Sequence, residues 1–278
     1  MKKLILWFLA FLITICAAIY QRMTGPTYPK RINITVNNAV QKLKLTRSLT
    51  ITEKSEVRLA MKDSNVRAKL FFKQYKSDSK YEVAEFTYKA DPEHGGFFAD
   101  IPQQPVAGKL QYYIEITDLK GSQTYLKDSP VVIRFKGDVP AFVLIPHILL
   151  MFVAMLFSSL AGLMAVIKHP LYKKYAQWTL ILFIAGGMVL GPIVQFFAFS
   201  DFWTGIPFGW DLTDNKTLIA LIFWIIAVYM NKKSEKPFYT ILASIMLLLV
   251  FSIPHSMFGS EFNYSTGQVT HGIILNLF

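Results

Sequence analysis

The chain has 278 residues, of which 53% are hydrophobic and 15% aromatic, while only 17% are charged. That balance excludes a wholly soluble or disordered protein and points to one that lives in a membrane. The formal net charge is +11, yet between Thr27 and Pro140 there are 19 Lys and Arg against 13 Asp and Glu, without a long basic block. Most of the remaining excess flanks apolar runs, which is the distribution of topology signals, and no nucleic-acid partner is expected. Cys16 is the only cysteine, so the chain can form no internal disulfide and no cysteine cluster.

Lys2 and Lys3 precede an apolar run from Leu4 to Tyr20. Its length suits a signal peptide or an uncleaved anchor. Cys16-Ala17-Ala18 offers small residues for cleavage, but no polar region precedes them, so residues 1–26 read as an N-terminal transmembrane anchor in preference to a signal segment. From residue 27 to 140 the pattern changes to short alternating stretches: Arg31 to Val36, Gln41 to Thr46, Ser55 to Met61, Arg67 to Tyr75, Tyr81 to Lys89, Gly96 to Ile101, Lys109 to Thr117 and Val131 to Phe135. Polar turn clusters separate them and no helix-period segment intervenes. Seven or eight strands in about 110 residues predict a β-sandwich.

One of these strands, Tyr112-Tyr113-Ile114-Glu115-Ile116-Thr117-Asp118, resembles strand F of immunoglobulin-like and fibronectin type III domains, in which an inward tyrosine lies on a strand that ends in an acidic turn. The resemblance covers the central segment only. The absence of a cysteine pair and of a strand C tryptophan makes it similar to the fibronectin side of that group. Such a domain implies binding or spacing, not catalysis.

Four further apolar runs follow, Phe142 to Ile167, Trp178 to Phe199, Thr217 to Met230 and Phe238 to Ile253, and they predict a four-helix transmembrane bundle over residues 141–254. Lys168, Lys173 and Lys174 lie in one connection and Lys232, Lys233 and Lys236 in another, whereas the only charges from Ser200 to Asn215 are acids. By the positive-inside rule the lysine loops are cytoplasmic. The N-terminus is then cytoplasmic, and the sandwich and the tail 255–278 are extracytoplasmic, in a multi-pass protein of a bacterial-type inner membrane. The third run carries Gly186, Gly187, Gly191 and Pro192, and the Gly187 to Gly191 spacing allows a close helix approach.

The segment from Phe202 to Thr217 contains Trp203, Phe208, Trp210, Asp211, Asp214, Asn215 and Lys216. The apolar run behind it is too short for a bilayer, and starting the helix near Asp211 restores the length. Asp211, Asp214 and Asn215 then share a face near the helix N-terminus, where negative charge is stabilised. Two readings follow: an N-cap with an aromatic interface belt, or a ligand or cation site built from Asp211, Asp214, Asn215 and Lys216 between Trp203 and Trp210.

His147 lies near the outer end of the first helix after the sandwich, with Met151 and Met155 continuing its face, and His255 and His271 lie beyond the last helix. Imidazole and thioether ligands could converge there, as haem b or copper sites require. A sandwich attached to such helices is similar in organisation to some bacterial copper-handling proteins, although this chain lacks a histidine near the start of the sandwich. No nucleophile elbow, phosphate loop or HExxH helix is present, so an enzyme reading has no support. The expected protein is an α+β membrane protein acting as a non-enzymatic binding or accessory subunit. Its partners are the lipid bilayer and a membrane-protein complex, and no cofactor is needed. The alternative is a haem or copper protein that uses His147 and His255 with Met151 and His271 for electron transfer or metal movement.

Overall fold

The computed structural model describes residues 2–61, 63–91, 93–254 and 259–270. It is a mixed α+β protein whose residues cluster into two units, one built of helices and one of strands. The β unit comprises Thr27–Asp138 and also Glu261–Val269.

Its strands are β1 (Lys30–Val36), β2 (Ala39–Leu45), β3 (Ser48–Thr50), β4 (Glu56–Leu59), β5 (Arg67–Gln74), β6 (Glu82–Glu85), β7 (Thr87–Lys89), β8 (Gly96–Asp100), β9 (Lys109–Asp118), β10 (Gly121–Tyr125) and β11 (Val131–Lys136). The largest sheet runs β3-β11-β9-β5-β6, with β10 also on β9, and a second runs β4-β8-β7. β1 and β2 form a separate ribbon. The stretch expected as one strand from Tyr81 to Lys89 is divided at Phe86, where the chain crosses from β5 to β8. β3 and β10 were not expected. β3 is three residues long and pairs in parallel with β11, and β10 is nearly all exposed, so neither carries an apolar alternation.

One core joins these sheets, with Ile34, Leu43, Leu59, Leu70, Phe97, Ile114 and Phe135 among its members. Tyr112 points into it, and its hydroxyl donates to the Thr46 carbonyl at 2.7 Å. Burial pushes that phenol well above its ordinary pKa. Tyr113, on the other face of β9, stacks on Phe71 with ring centroids 4.7 Å apart. Asp118 closes the strand by accepting from the backbone N–H of Asn37 and of Lys120, which holds its carboxyl below the usual range.

The segment 255–278 was expected to be a separate tail, but part of it belongs to the β unit. β12 (Glu261–Asn263) and β13 (Gln268–Thr270) form a two-stranded sheet. The Phe262 N–H donates to the Ala107 carbonyl at 3.1 Å, and the Tyr264 hydroxyl accepts from the Lys109 N–H at 3.0 Å. The Lys109 ammonium lies 2.8 Å from the Glu261 carboxylate, with side chains only 14% and 24% exposed. Burial alone would raise the Glu261 pKa, but Lys109 and the more exposed Lys76 outweigh it and hold the carboxyl low. Burial, aided by Arg134, lowers the Lys109 pKa against the pull of Glu261.

A carboxyl whose folded pKa is depressed contributes stability above its unfolded value of about 4.3, and that contribution disappears as pH falls through the folded value. Protection of the Phe262 and Lys109 amides, relative to their intrinsic exchange rates, is therefore expected to fall below about pH 4 while the β5–β9 amides stay protected. Glu261→Gln should remove that pH dependence and cost about 1–3 kcal/mol, because it leaves the Lys109 ammonium half-satisfied.

The helical unit contains α1 (Lys2–Thr24), α2 (Ala141–Val166), α3 (Tyr172–Phe183), a π-helical segment (Ile184–Leu190), α4 (Gly191–Phe199), α5 (Leu212–Met230) and α6 (Pro237–Ser252). Lys3–Thr24, Ala141–Val166, Tyr172–Phe199 and Leu212–Met230 are each long and apolar enough to cross a membrane. α6 is shorter at 16 residues. α2 packs against α1, α3 and α6, and α5 packs against α3 and α6. Trp224 sits fully buried in a cluster with Phe183 and with Ala154, Ala161, Ala220 and Ala243, whose small side chains leave room for the rings. Leu6 and Ala10 of α1 pack on Leu160, Met164 and Ala165 of α2.

Asn231, buried at the end of α5, accepts from the Tyr172 hydroxyl at 2.6 Å and from the Lys236 N–H at 2.8 Å, while its amide donates to the Ala227 carbonyl. Of the two close approaches expected, at Gly187 and Gly191, the first occurs and the second does not, and the neighbouring Gly186 is tighter than either. A Cβ at Gly186 would lie 3.0 Å from Leu150 and from Met151, and one at Gly187 would lie 3.3 Å from Thr217, whereas Gly191 has only ordinary spacing.

Candidate functional site

The loop between α4 and α5 gathers the polar residues singled out in the sequence. Asp211 is the N-cap of α5, and its carboxylate accepts from the Thr213 N–H at 2.7 Å. Asp214, one turn on, reaches back to the loop and accepts from the Thr204 N–H at 2.6 Å and the Thr204 hydroxyl at 3.0 Å. Asn215 accepts from the Ile206 N–H at 2.7 Å. Gln195 of α4 donates to the Thr204 hydroxyl at 2.7 Å, completing a chain from α4 through the loop to α5. Thr204, Asp211 and Asp214 are all buried. Gly205 is needed where the loop crosses this helix start, because a Cβ there would lie 2.7 Å from the Asp214 Cβ.

Lys216, the fourth polar residue of the expected site, bonds to α6 and not to the loop. It is buried, and its ammonium donates to the Ile253 carbonyl at the C-cap of α6 at 2.5 Å. A cation at the negative end of a helix is favourably placed. The two acids, the amide and the lysine are thus joined to protein groups: Asp211, Asp214 and Asn215 shape the loop, and Lys216 ties α5 to α6.

The braced loop displays its apolar side chains outward. Phe208 is 79% exposed and Trp210 65%, with Phe202 and Ile206 also exposed. Trp203 is partly buried, and its indole N–H donates to the Ile206 carbonyl at 3.1 Å, inside the loop. Phe202 stacks on Phe196 at 4.3 Å between centroids. Rigid backbone hydrogen bonding beneath exposed rings lowers the entropy lost when those rings are covered, which is the physical requirement of a recognition surface.

His147 lies on α2 against the π-helical segment. Its Nδ1 is 2.8 Å from the Gly186 carbonyl, the same oxygen that accepts the Gly191 N–H. Nδ1 therefore carries the proton, and in the neutral ring Nε2 is left as the basic nitrogen. The Met151 sulfur lies beside Gly186 and Gly187. His255 and His271 lie outside the described residues. Among the described residues no group of three or more His, Cys, Asp or Glu is placed to hold a metal ion.

Comparison with protein-family models and with curated proteins returned no match. Thr204 and Gln195 were not singled out in the sequence. A lone amide in the apolar α4 run is the signal for Gln195. Nothing local marks Thr204, whose partner lies ten residues further on.

Asp214→Ala leaves the buried Thr204 N–H without its acceptor and should lower stability by about 1–3 kcal/mol in a detergent melt. Asp214→Asn retains one carbonyl acceptor and should insert and fold with a smaller loss. Asp211→Asn should be near neutral, since asparagine caps as well as aspartate, whereas Asp211→Ala should cost about 1 kcal/mol.

Proposed function

We propose that this protein is a non-enzymatic membrane subunit that docks onto a partner membrane protein through the aromatic loop between α4 and α5. The observation that carries the reading is the outward display of Phe208 and Trp210 above a buried frame of Thr204, Asp211 and Asp214. Aromatic residues on a hydrogen-bonded backbone are common anchors of protein interfaces. The inward use of both acids favours this over a free cation site.

In the same reading the β unit is a fibronectin-like sandwich outside the cytoplasm, and α2 to α6 form the transmembrane bundle. The inward Tyr112 and the Asp118 turn support the first point. For the second, the chain leaves the β unit after Asp138 and rejoins it at Glu261. A unit on one face of the bilayer requires an even number of crossings between those points. Three long spans and α6 supply four, so α6 crosses although its 16 residues reach only about 24 Å. Local thinning of the bilayer accommodates such a span. Lys173 lies 3.4 Å from Glu235, which brings the two lysine-rich connections to one end of the helices, the cytoplasmic end by charge. Burial of Leu6 and Ala10 against α2 favours an α1 that is retained as an anchor.

The test places a photo-crosslinking residue at Phe208 in native membranes. A discrete protein adduct is expected, reduced severalfold by Asp214→Ala, which loosens the loop. Adducts with lipid alone would refute the docking role and leave the loop as an interface belt.

A second reading, haem or copper binding, is favoured by one observation: the His147 hydrogen bond presents Nε2 as a ligand, with the Met151 sulfur on the same face of α2. Purified protein with a Soret band, or with copper near one equivalent that His147→Ala abolishes, would establish it. A featureless visible spectrum with no bound copper would exclude it.

A further inference from the structure

The ribbon of β1 and β2 carries an arrangement that the docking loop does not explain. One face is turned to the core, with Ile34, Val36, Leu43 and Leu45 each at most 1% exposed. The opposite face presents Arg31, Asn33, Thr35, Val40, Lys42 and Lys44, all exposed. The register sets Arg31 directly opposite Lys44 and Asn33 opposite Lys42, and Lys30 is exposed at the start of the same ribbon. From Thr27 to Thr52 the sequence contains five cations and no acid. Among the described residues none of Lys30, Arg31, Lys42 and Lys44 enters an ion pair. Arg31 is instead held by Tyr28, donating to its hydroxyl at 2.5 Å and lying 5.3 Å from its ring centroid.

Like charges directly opposite one another on a sheet are destabilising. Among the described residues no acid pairs with these cations to relieve the repulsion, and the backbone cannot rotate them away because Ile34, Val36, Leu43 and Leu45 on the other face are buried. We propose that the outer face of the β1–β2 ribbon binds anionic phospholipid headgroups. The surface is a ladder of cations on a rigid ribbon, without a cleft, and a layer of phosphates is complementary to it in both shape and charge. The chain itself places such a layer within reach: five residues, 25–29, join the apolar helix α1 to Lys30, and a linker of that length extends at most about 20 Å. Each cation brought to an anionic membrane surface strengthens binding by about fivefold at moderate ionic strength, and salt removes the effect.

The test uses the full chain in nanodiscs of phosphatidylcholine alone and of phosphatidylcholine with one-third phosphatidylglycerol, reading the acylation rate of individual lysine amines by mass spectrometry. Lys42 and Lys44 should be labelled at least fivefold more slowly in the anionic discs at low salt, with the difference abolished at high salt. Exposed Lys80, on the β5–β6 connection, should change less than twofold. The double variant Lys42→Gln/Lys44→Gln should lose the lipid-dependent slowing of amide exchange across residues 30–45. Its melting temperature should equal or exceed that of the parent, because the cross-strand repulsion is reduced, a result that a purely structural role for these lysines would not produce. Equal labelling in the two discs would overturn the proposal. So would protection seen only in native membranes, which would assign the ribbon to an acidic protein partner. Either failure leaves the docking loop untouched, since Phe208 crosslinking does not depend on lipid charge.

Discussion

Hydrocarbon offers no hydrogen bonds, so a polar group carried into or near it must find its partner within the protein. Several buried side chains of the helical unit follow that constraint, although the Trp224 indole N–H is buried without a hydrogen-bond partner among the described residues. Asp214 takes the Thr204 N–H and hydroxyl, Asn215 the Ile206 N–H, Lys216 the Ile253 carbonyl and His147 the Gly186 carbonyl. Asn231 joins Tyr172 and Lys236 at the other end of α5. Each bond also fixes a structural relation, of loop to helix or helix to helix, that apolar contact alone would leave free to slide. Packing of Trp224 among alanines then fills the space those bonds define.

The same constraint accounts for what the α4–α5 loop presents outward. Once Thr204, Asp211 and Asp214 are turned inward, the large apolar side chains left exposed on the loop are Phe202, Ile206, Phe208 and Trp210. On the docking reading the two acids support an apolar surface. Function on this reading resides in the rings, and the carboxylates act by positioning them.

In the β unit the governing pattern is alternation. Core residues on one face of each strand leave the charged residues no choice but the other, and in β1 and β2 this lines up cations with no acid between them. Closure of the unit depends on residues far apart in the chain. Glu261 meets Lys109 across 152 positions, so the β unit is complete only when the segment that follows the helices has returned to it.

The sequence by itself determined the apolar helices, the alternating strands of the central segment and the start of α5 at Asp211, because these follow from local periodicity, capping and length. It also showed which residues near that helix start are polar. Tertiary structure decided where those polar groups point, since a carboxylate three residues beyond an N-cap can face a ligand or a loop with equal local propriety. The division of one strand at Phe86, the pairing of Gly187 with Gly186 in place of Gly191 at the close helix contact, and the addition of β12 and β13 to the β unit were likewise invisible in the sequence. Each depends on a partner distant along the chain, and short polar strands such as β12 and β13 gain their stability from that partner and not from any pattern of their own.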